Sequence, residues 1–143
     1  MKLERVVVGV DGSANSRRAV EWAAGLAARV DAEVVAVHAL GLLERLDTGA
    51  PVPTEEHRDE IVERFQTAWC APLDEAGVAN RRIVRYGPPA DVLLELAEEV
   101  GADLVVVGSR GVSDRPELLL GSTSARVAQH ARQPVVIVPP TAD

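Results

Sequence analysis

Glycine and hydroxyl residues are concentrated in one stretch of the chain, from Gly108 to Ser122. The segment Val107-Gly108-Ser109-Arg110-Gly111 follows an apolar run. Nine residues then separate Gly111 from the segment Gly121-Ser122-Thr123-Ser124. Glycine is expected where φ must be positive or where a ligand approaches bare backbone. Backbone N–H groups in such loops, and at the start of a following helix, bind anions. The stretch therefore predicts a site for a phosphorylated ligand.

Common phosphate-binding motifs are absent from the chain. Lys2 is the only lysine, so the Gly-Lys-Ser/Thr ending of a P-loop cannot be formed. Gly9 and Gly12 follow the first apolar run at a spacing that differs from the dinucleotide fingerprint. Hydrogen bonds to a charged group contribute about 1.5 to 3 kcal/mol each, and micromolar affinity needs about 8 kcal/mol. A few backbone and hydroxyl bonds and a stacked base can supply that without lysine.

Valine-rich runs predict the strands that must position this segment. Their continuous apolarity is typical of strands covered on both faces, as in a parallel sheet. The predicted strands are Val6–Val10, Val34–His38, the weaker Ile83–Tyr86, Leu104–Val107 and Val135–Val138. Ligands of such sheets bind beyond the carboxyl ends of the strands, which directs attention to Asp11 and Gly108.

Helical patterns separate these runs. Ser13 is placed to cap a first helix whose apolar stripe includes Ala19, Trp22 or Ala23, Leu26 and Val30, and we expect Trp22 in the core. The further helices are predicted from Thr54 to Gly77 with a kink or end at Pro72, from Pro89 to Gly101, and from Ser122 to about Ala131. A long loop, about Leu40 to Pro53, is predicted as a flap. The alternation of strands and helices predicts a doubly wound parallel α/β sheet.

Composition limits the classes of function. A chain of 143 residues with 47% hydrophobic and 26% charged residues is expected to form one domain, 1–143. Its net charge of -7 disfavours nucleic acid and anionic lipid as partners. One cysteine and no apolar run near the length of a membrane span predict a cytoplasmic protein without a membrane segment.

The spacing of Gly108, Gly111, Gly121 and Ser122 resembles the signature of ATP-binding universal stress proteins. The resemblance extends over nearly the whole chain. It includes the segments Val8-Gly-Val-Asp11-Gly-Ser13, Val37-His38, Tyr86-Gly-Pro-Pro-Ala90 and Pro134-Val-Val-Ile-Val138.

This resemblance implies an open, Rossmann-like, five-stranded sheet of order 3-2-1-4-5 with helices on both faces and ATP between the first and fourth strands. Gly9, Val10 and Asp11 would lie near ribose and adenine, and the backbone of Ala39 would pair with the adenine edge. The residues implied at the ribose and phosphates are Val107, Gly108, Arg110, Gly111, Gly121, Ser122 and Thr123. A magnesium ion could accompany ATP, but no metal ligand is assigned.

Several residues have a structural interpretation beside a functional one. Asp11 could contact the ribose or a hydrated metal, or only cap a helix. His38 and Cys70 are expected to be structural, because neither has a partner residue at a catalytic spacing. No catalytic residue is assigned.

The resemblance thus implies an adenine-nucleotide-binding regulatory protein of the stress response. Val135–Val138 is a candidate edge strand, and a homodimer that pairs this strand with its copy is expected. Two alternatives remain open, a slow ATPase or nucleotidyl-transfer enzyme that uses Asp11, and a nucleotide-free dimerisation module.

Overall fold

The computed structural model describes residues 1–40, 55–111 and 120–141. It contains one sheet of five strands, which are all parallel to their neighbours. The strands are β1 (Arg5–Gly9), β2 (Glu33–Leu40), β3 (Asn80–Tyr86), β4 (Leu104–Gly108) and β5 (Val135–Val138). Their order across the sheet is β3-β2-β1-β4-β5, so the predicted fold class and strand order are confirmed.

Helices connect the strands. They are α1 (Ala14–Val30), α2 (Glu55–Arg64), α3 (Ala71–Ala76), α4 (Pro89–Val100) and α5 (Ser122–His130). A single π-helical turn, Phe65–Trp69, joins α2 to α3. The predicted interruption at Pro72 is confirmed, because this proline lies in the first turn of a new helix, α3. The predicted flap, about Leu40 to Pro53, lies almost wholly outside the described residues.

Two apolar layers cover the sheet. On one face, α1 and the segment around Phe65 and Leu73 pack against Val6 and Val8 of β1. On the other face, α4 and α5 pack against Val7 and neighbouring strand residues. The residues of β1 thus alternate between two buried faces, which explains why a continuously apolar sequence forms the central strand.

The prediction that Trp22 lies in the core is wrong. Trp22 is 42% exposed, whereas Ala23 is fully buried. The α1 residues that face the sheet are small, with Ala19, Ala23 and Ala27 all at most 1% exposed. This small-residue face lets α1 lie close to the sheet and leaves the large Trp22 side chain on the solvent side.

A side-chain cap fixes the N-terminus of α1. Ser13 is its N-cap, and the Ser13 side chain accepts a hydrogen bond from the N–H of Ser16, as the sequence predicted. The preceding Gly12 has φ +85°, a conformation that favours glycine, and a Cβ there would overlap the indole of Trp69.

A pair of glycine substitutions tests this account of the α1 start. Gly12→Ala should lower the free energy of unfolding by more than about 1 kcal/mol, because alanine is strained at positive φ. Gly25→Ala is the matched control, since Gly25 lies inside α1 with no atom near its missing side chain. That variant should be more stable by about 0.5 to 1 kcal/mol, because alanine favours helix. Urea unfolding measures both, and equal effects would contradict the account.

Candidate functional site

The carboxyl edge of the sheet has a notch above β1. The register places Gly9, the last residue of β1, beside Val37, while β2 continues to Leu40. On the other side β4 continues to Gly108, one position beyond the level of Gly9. Strand spacing makes such a notch about 10 Å wide between β2 and β4. The floor of the notch is the turn that begins after Gly9 and includes Val10 and Asp11.

Backbone directions show which polar groups point into the notch from β2. The N–H of Val10 donates to the carbonyl of Val37, so Val37 faces β1, whereas the carbonyl of Leu40 accepts from Gly87 next to β3. N–H and C=O groups alternate sides along a strand. Ala39 therefore directs both its backbone polar groups toward the β1 side, beyond the end of β1.

The same argument applies to β4. The N–H of Val105 donates to the carbonyl of Pro134, and the N–H of Ser109 donates to the carbonyl of Val138, both on the β5 side. Gly108 directly precedes Ser109, so by this alternation its backbone polar groups face the opposite side, toward β1. Ala39 and Gly108 thus border the notch from opposite walls, while Val107 is 4% exposed in the sheet.

Asn15 holds the loop that follows β4. Its side chain is 8% exposed and lies in the first turn of α1. Its Oδ1 accepts from the N–H of Arg110 at 2.9 Å and from the Ser109 hydroxyl at 3.1 Å, and its Nδ2 donates to the carbonyl of Val138 at 2.9 Å. One amide therefore joins α1, the β4 loop and the end of β5.

Ser109 connects this loop to α5. Its carbonyl accepts from the N–H of Gly121 at 2.6 Å and from the hydroxyl of Ser124 at 2.7 Å. The hydroxyl of Ser124 also lies 3.1 Å from the carbonyl of Gly121. The start of α5 is thereby fixed next to the β4 loop, with Gly121 beside Ser109.

The N-terminus of α5 differs from that of α1. Its N-cap is Gly121, in an extended conformation with φ -76°, and this residue has no side chain of its own with which to cap the helix. Ser122 and Thr123, which open the helix, are exposed and half-buried respectively. Because the first N–H groups of a helix have no acceptor within the helix, the end of α5 is suited to an external anion.

Asp11 has a structural role in this arrangement. Its Oδ1 accepts from the N–H of Ser13 at 2.9 Å, as in an Asx turn, and its own N–H donates to the Ser16 hydroxyl at 3.1 Å. The carboxylate therefore shapes the turn before α1 at the floor of the notch. Contact of Asp11 with a ribose or a metal stays a prediction.

Packing within the chain explains two of the predicted site glycines. A Cβ on Gly9 would lie 3.1 Å from the Leu93 side chain of α4. A Cβ on Gly108 would lie 3.1 to 3.2 Å from Asn15, including its backbone carbon. Gly108 is not among the glycines with positive φ. These glycines allow α4 and α1 to approach the strands closely, a requirement that the ligand argument from sequence did not include.

His38 has structural contacts, as predicted. Its Nδ1 lies 2.7 Å from the carbonyl oxygen of Val10. Its ring packs against Phe65 and, edge on, against Trp69, with centroids 5.9 and 5.3 Å away. Trp69 also borders a shallow cleft of about 320 Å³ beside the start of α1. The contacts of His38 with Phe65 and Trp69 hold the ring that contacts Val10, in the turn after β1.

The described residues contain neither a cluster of metal-ligating side chains nor a helix that could span a membrane. Among residues 1–40, 55–111 and 120–141, no group of three or more His, Cys, Asp or Glu side chains could hold a metal ion. In the same ranges, no helix has both the length and the apolar character needed to span a bilayer.

Comparison with known proteins assigns the chain to a family. The model of the universal stress protein family matches residues 2–139. The universal stress protein YxiE of Bacillus subtilis is 35% identical, and the alignment covers 94% of this chain and 97% of that protein. Relatives from mycobacteria are longer, and this chain spans 43 to 47% of their length. The chain belongs to the universal stress protein family, as the glycine spacing indicated.

Solved structures agree with this assignment. A universal stress protein in complex with cAMP is 32% identical, with a TM-score of 0.73 and coverage of 99% of this chain and 100% of that one. An Arabidopsis thaliana member of the family with AMP bound is 22% identical, with a TM-score of 0.70 and coverage of 98% of this chain and 94% of that one. At this identity the similarity is one of fold. Adenine nucleotides are thus bound by proteins of this fold.

Sequence reasoning missed the buried polar group at the centre of the site. Asn15, Ser16, Ser109 and Ser124 are all buried, and each has a hydrogen-bond partner at the notch or the adjoining loop. An available signal was Asn15 itself, because asparagine is a poor helix former and its presence within the first turn suggests a polar contact.

The buried thiol of Cys70 gives a pH-dependent prediction. Burial raises the pKa of Cys70 to about 11, outweighing the opposing effect of Arg82. At pH 8 only about one thiol in a thousand is then ionised, so the folded protein should react with Ellman's reagent far more slowly than the unfolded chain. Because Cys70 is the only cysteine, absorbance at 412 nm measures it directly. Equal rates with and without guanidinium chloride would contradict this burial.

Proposed function

We propose that this universal stress protein binds ATP in the notch above β1. The observation that carries the proposal is the position of the α5 N-terminus, whose N-cap Gly121 donates its N–H to Ser109 of the β4 loop at the carboxyl edge of the sheet. The family membership and the cAMP complex of a relative with 32% identity support an adenine nucleotide as the ligand.

In this proposal the base binds at the β2 wall. The backbone N–H and C=O of Ala39, directed toward the notch, pair with the edge of adenine, and Gly9, Val10 and Asp11 lie beneath adenine and ribose. Backbone pairing discriminates adenine by the order of its donor and acceptor atoms, so no special side chain is required. Val107 and Gly108 flank the ribose on the opposite wall.

The phosphates bind between the β4 loop and α5. Gly111, Gly121, Ser122 and Thr123 surround them, and the positive end of the α5 dipole favours their charge. The N–H of Arg110 donates to Asn15, so Arg110 would contact a phosphate through its guanidinium group. A magnesium ion accompanying ATP would take most of its ligands from phosphate and water oxygens, because the described residues contain no ready-made metal cluster.

We propose binding without rapid turnover. Asp11 lies at the floor of the notch, and one of its carboxylate oxygens already accepts the Ser13 N–H. His38 directs Nδ1 to the Val10 carbonyl. Neither arrangement provides a general base aimed at a phosphate, so the protein acts by holding its nucleotide. In this proposal the chain is a single domain that works in the cytoplasm as part of the stress response.

A charge substitution at the start of α5 tests the phosphate site. Ser122→Asp should weaken ATP binding by about tenfold or more through repulsion of phosphate, while the carboxylate interacts favourably with the helix dipole and preserves the melting temperature. Gln129→Glu adds the same charge at the exposed far end of α5 and is the matched control. Isothermal titration calorimetry measures both affinities. Unchanged ATP affinity in Ser122→Asp, or equal losses in both variants, would contradict the proposal.

We also propose that the protein is a homodimer that pairs β5 with its copy. The two edges of the sheet differ in character. Edge strand β3 carries three arginines, and each one pairs with an acidic side chain. These pairs are Arg81 with Glu33, Arg82 with Asp74, and Arg85 with Glu99. Edge strand β5 contains only valine and isoleucine. Charged side chains discourage pairing at an edge, so β5 is the edge suited to a second chain.

A proline substitution tests this interface. The alternation set by Pro134 and Val138 directs the backbone of Val135 away from β4. Val135→Pro removes an outward N–H without removing a bond to β4, so the dimer should dissociate. Val135→Thr, which keeps the N–H and the branched shape, is the control and should stay dimeric. Sedimentation velocity decides, and a monomeric wild type at high micromolar concentration, or a dimeric Val135→Pro, would contradict the proposal.

A further inference from the structure

Asn15 occupies a position that the glycine signature does not include. It lies outside the strands and the glycine loop, yet its amide contacts residues 94, 95 and 123 positions away in the chain. The Oδ1 atom of Asn15 fixes the N–H of Arg110, a residue that lies between Gly108 and Gly111 in the β4 loop. The Nδ2 atom of Asn15 donates to the carbonyl of Val138, the last residue of β5.

The partners determine the chemistry required at position 15. The Arg110 N–H takes Asn15 as its acceptor, and the Val138 carbonyl, which already accepts from the Ser109 N–H, takes Asn15 as a second donor. Asparagine presents one of each on a short planar group. Leucine has a similar shape but neither function, and aspartate has only acceptors at neutral pH. Alanine would remove the Asn15 acceptor of the part-buried Arg110 N–H and one of the two donors to the Val138 carbonyl, which is costly.

Close packing adds to these hydrogen bonds. Gly108 lies against Asn15 so tightly that a Cβ would come within 3.1 Å of the Asn15 side chain. The Asn15 side chain is therefore held between Gly108 on one side and Val138 and Arg110 at its polar end. Such a group has little freedom, so it sets the direction in which the chain leaves β4.

We propose that Asn15 is the positioning residue of the phosphate-binding loop. By holding the Ser109 hydroxyl and the Arg110 N–H, it orients the chain from Ser109 to Gly111, which follows the β4 residues Val107 and Gly108 that flank the ribose. This inference rests on the proposed nucleotide site. It adds that the phosphate end of that site depends on Asn15, whereas the adenine end, formed by β1 and β2, does not.

The contrast between the two ends provides the test. Calorimetric titrations compare ATP with adenosine, which lacks phosphate, for wild type and Asn15→Ala. We expect Asn15→Ala to weaken ATP binding by about tenfold or more and to change adenosine binding by less than about twofold. Val20→Ala is the control, because it removes a fully buried side chain from the same helix away from the loop, and both of its affinities should match those of the wild type.

Amide hydrogen exchange of Arg110, followed by NMR without nucleotide, reports the positioning itself. Exchange should accelerate by about tenfold or more in Asn15→Ala. In Asn15→Asp the carboxylate still accepts the Arg110 N–H, so protection should be retained even though the donor to Val138 is lost. Val20→Ala should leave Arg110 protected, which separates loop release from general destabilisation.

The outcomes separate this inference from the proposed function. If wild type binds ATP but Asn15→Ala binds it equally well, or loses ATP and adenosine affinity to the same extent, the positioning role is overturned while the nucleotide site stands. Unchanged Arg110 exchange in Asn15→Ala also overturns it. If wild type binds neither ATP nor adenosine, the proposed function fails, and the inference fails with it.

Discussion

β1 lies in the centre of the sheet and ends at Gly9, whereas its two neighbours continue past that level. This difference in length is the constraint from which the site follows. Parallel strands bring their carboxyl ends to one edge, and a short central strand leaves backbone groups of its neighbours without a ladder partner there. Polar backbone in such a place must be satisfied by the turn, by water or by a ligand. The turn from Val10 to Gly12 forms the floor of the notch.

The polar contacts around this notch form a connected set. Asn15 joins α1 to the β4 loop and to β5, while Ser109 and Ser124 join that loop to α5. The start of α5 is consequently tied to the centre and to one edge of the sheet. If ATP binds as proposed, its phosphates contact the same loop whose neighbour, β5, is the proposed dimer strand. If both proposals hold, Val138 would connect the nucleotide site to the subunit contact.

Much of this architecture could be predicted from the sequence. Continuous valine runs indicated a parallel sheet, and the caps Ser13, Gly77 and Gly101 marked helix ends correctly. The side of α1 that faces the sheet was not determined, because Trp22 and Ala23 both fit a stripe with three- to four-residue spacing. Close helix packing against the sheet selected Ala23. The Asn15 contacts could not be read from periodicity either, since they depend on residues about one hundred positions away that meet only in the folded chain. Gly108 was expected at the end of the fourth strand, where β4 ends, but its close packing against Asn15 was not expected, because that is also a long-range contact.

The central claim is that an adenine nucleotide spans the notch from β2 to α5. The most direct measurement is a titration of isotope-labelled protein with ATP, followed by amide chemical shifts in NMR spectra. The account predicts saturable shifts at Ala39, Gly108, Gly111, Ser122 and Thr123, with little change at Gly25 and Gln129 on the far parts of α1 and α5. An unchanged spectrum at millimolar ATP, or shifts confined to residues away from the notch, would contradict it.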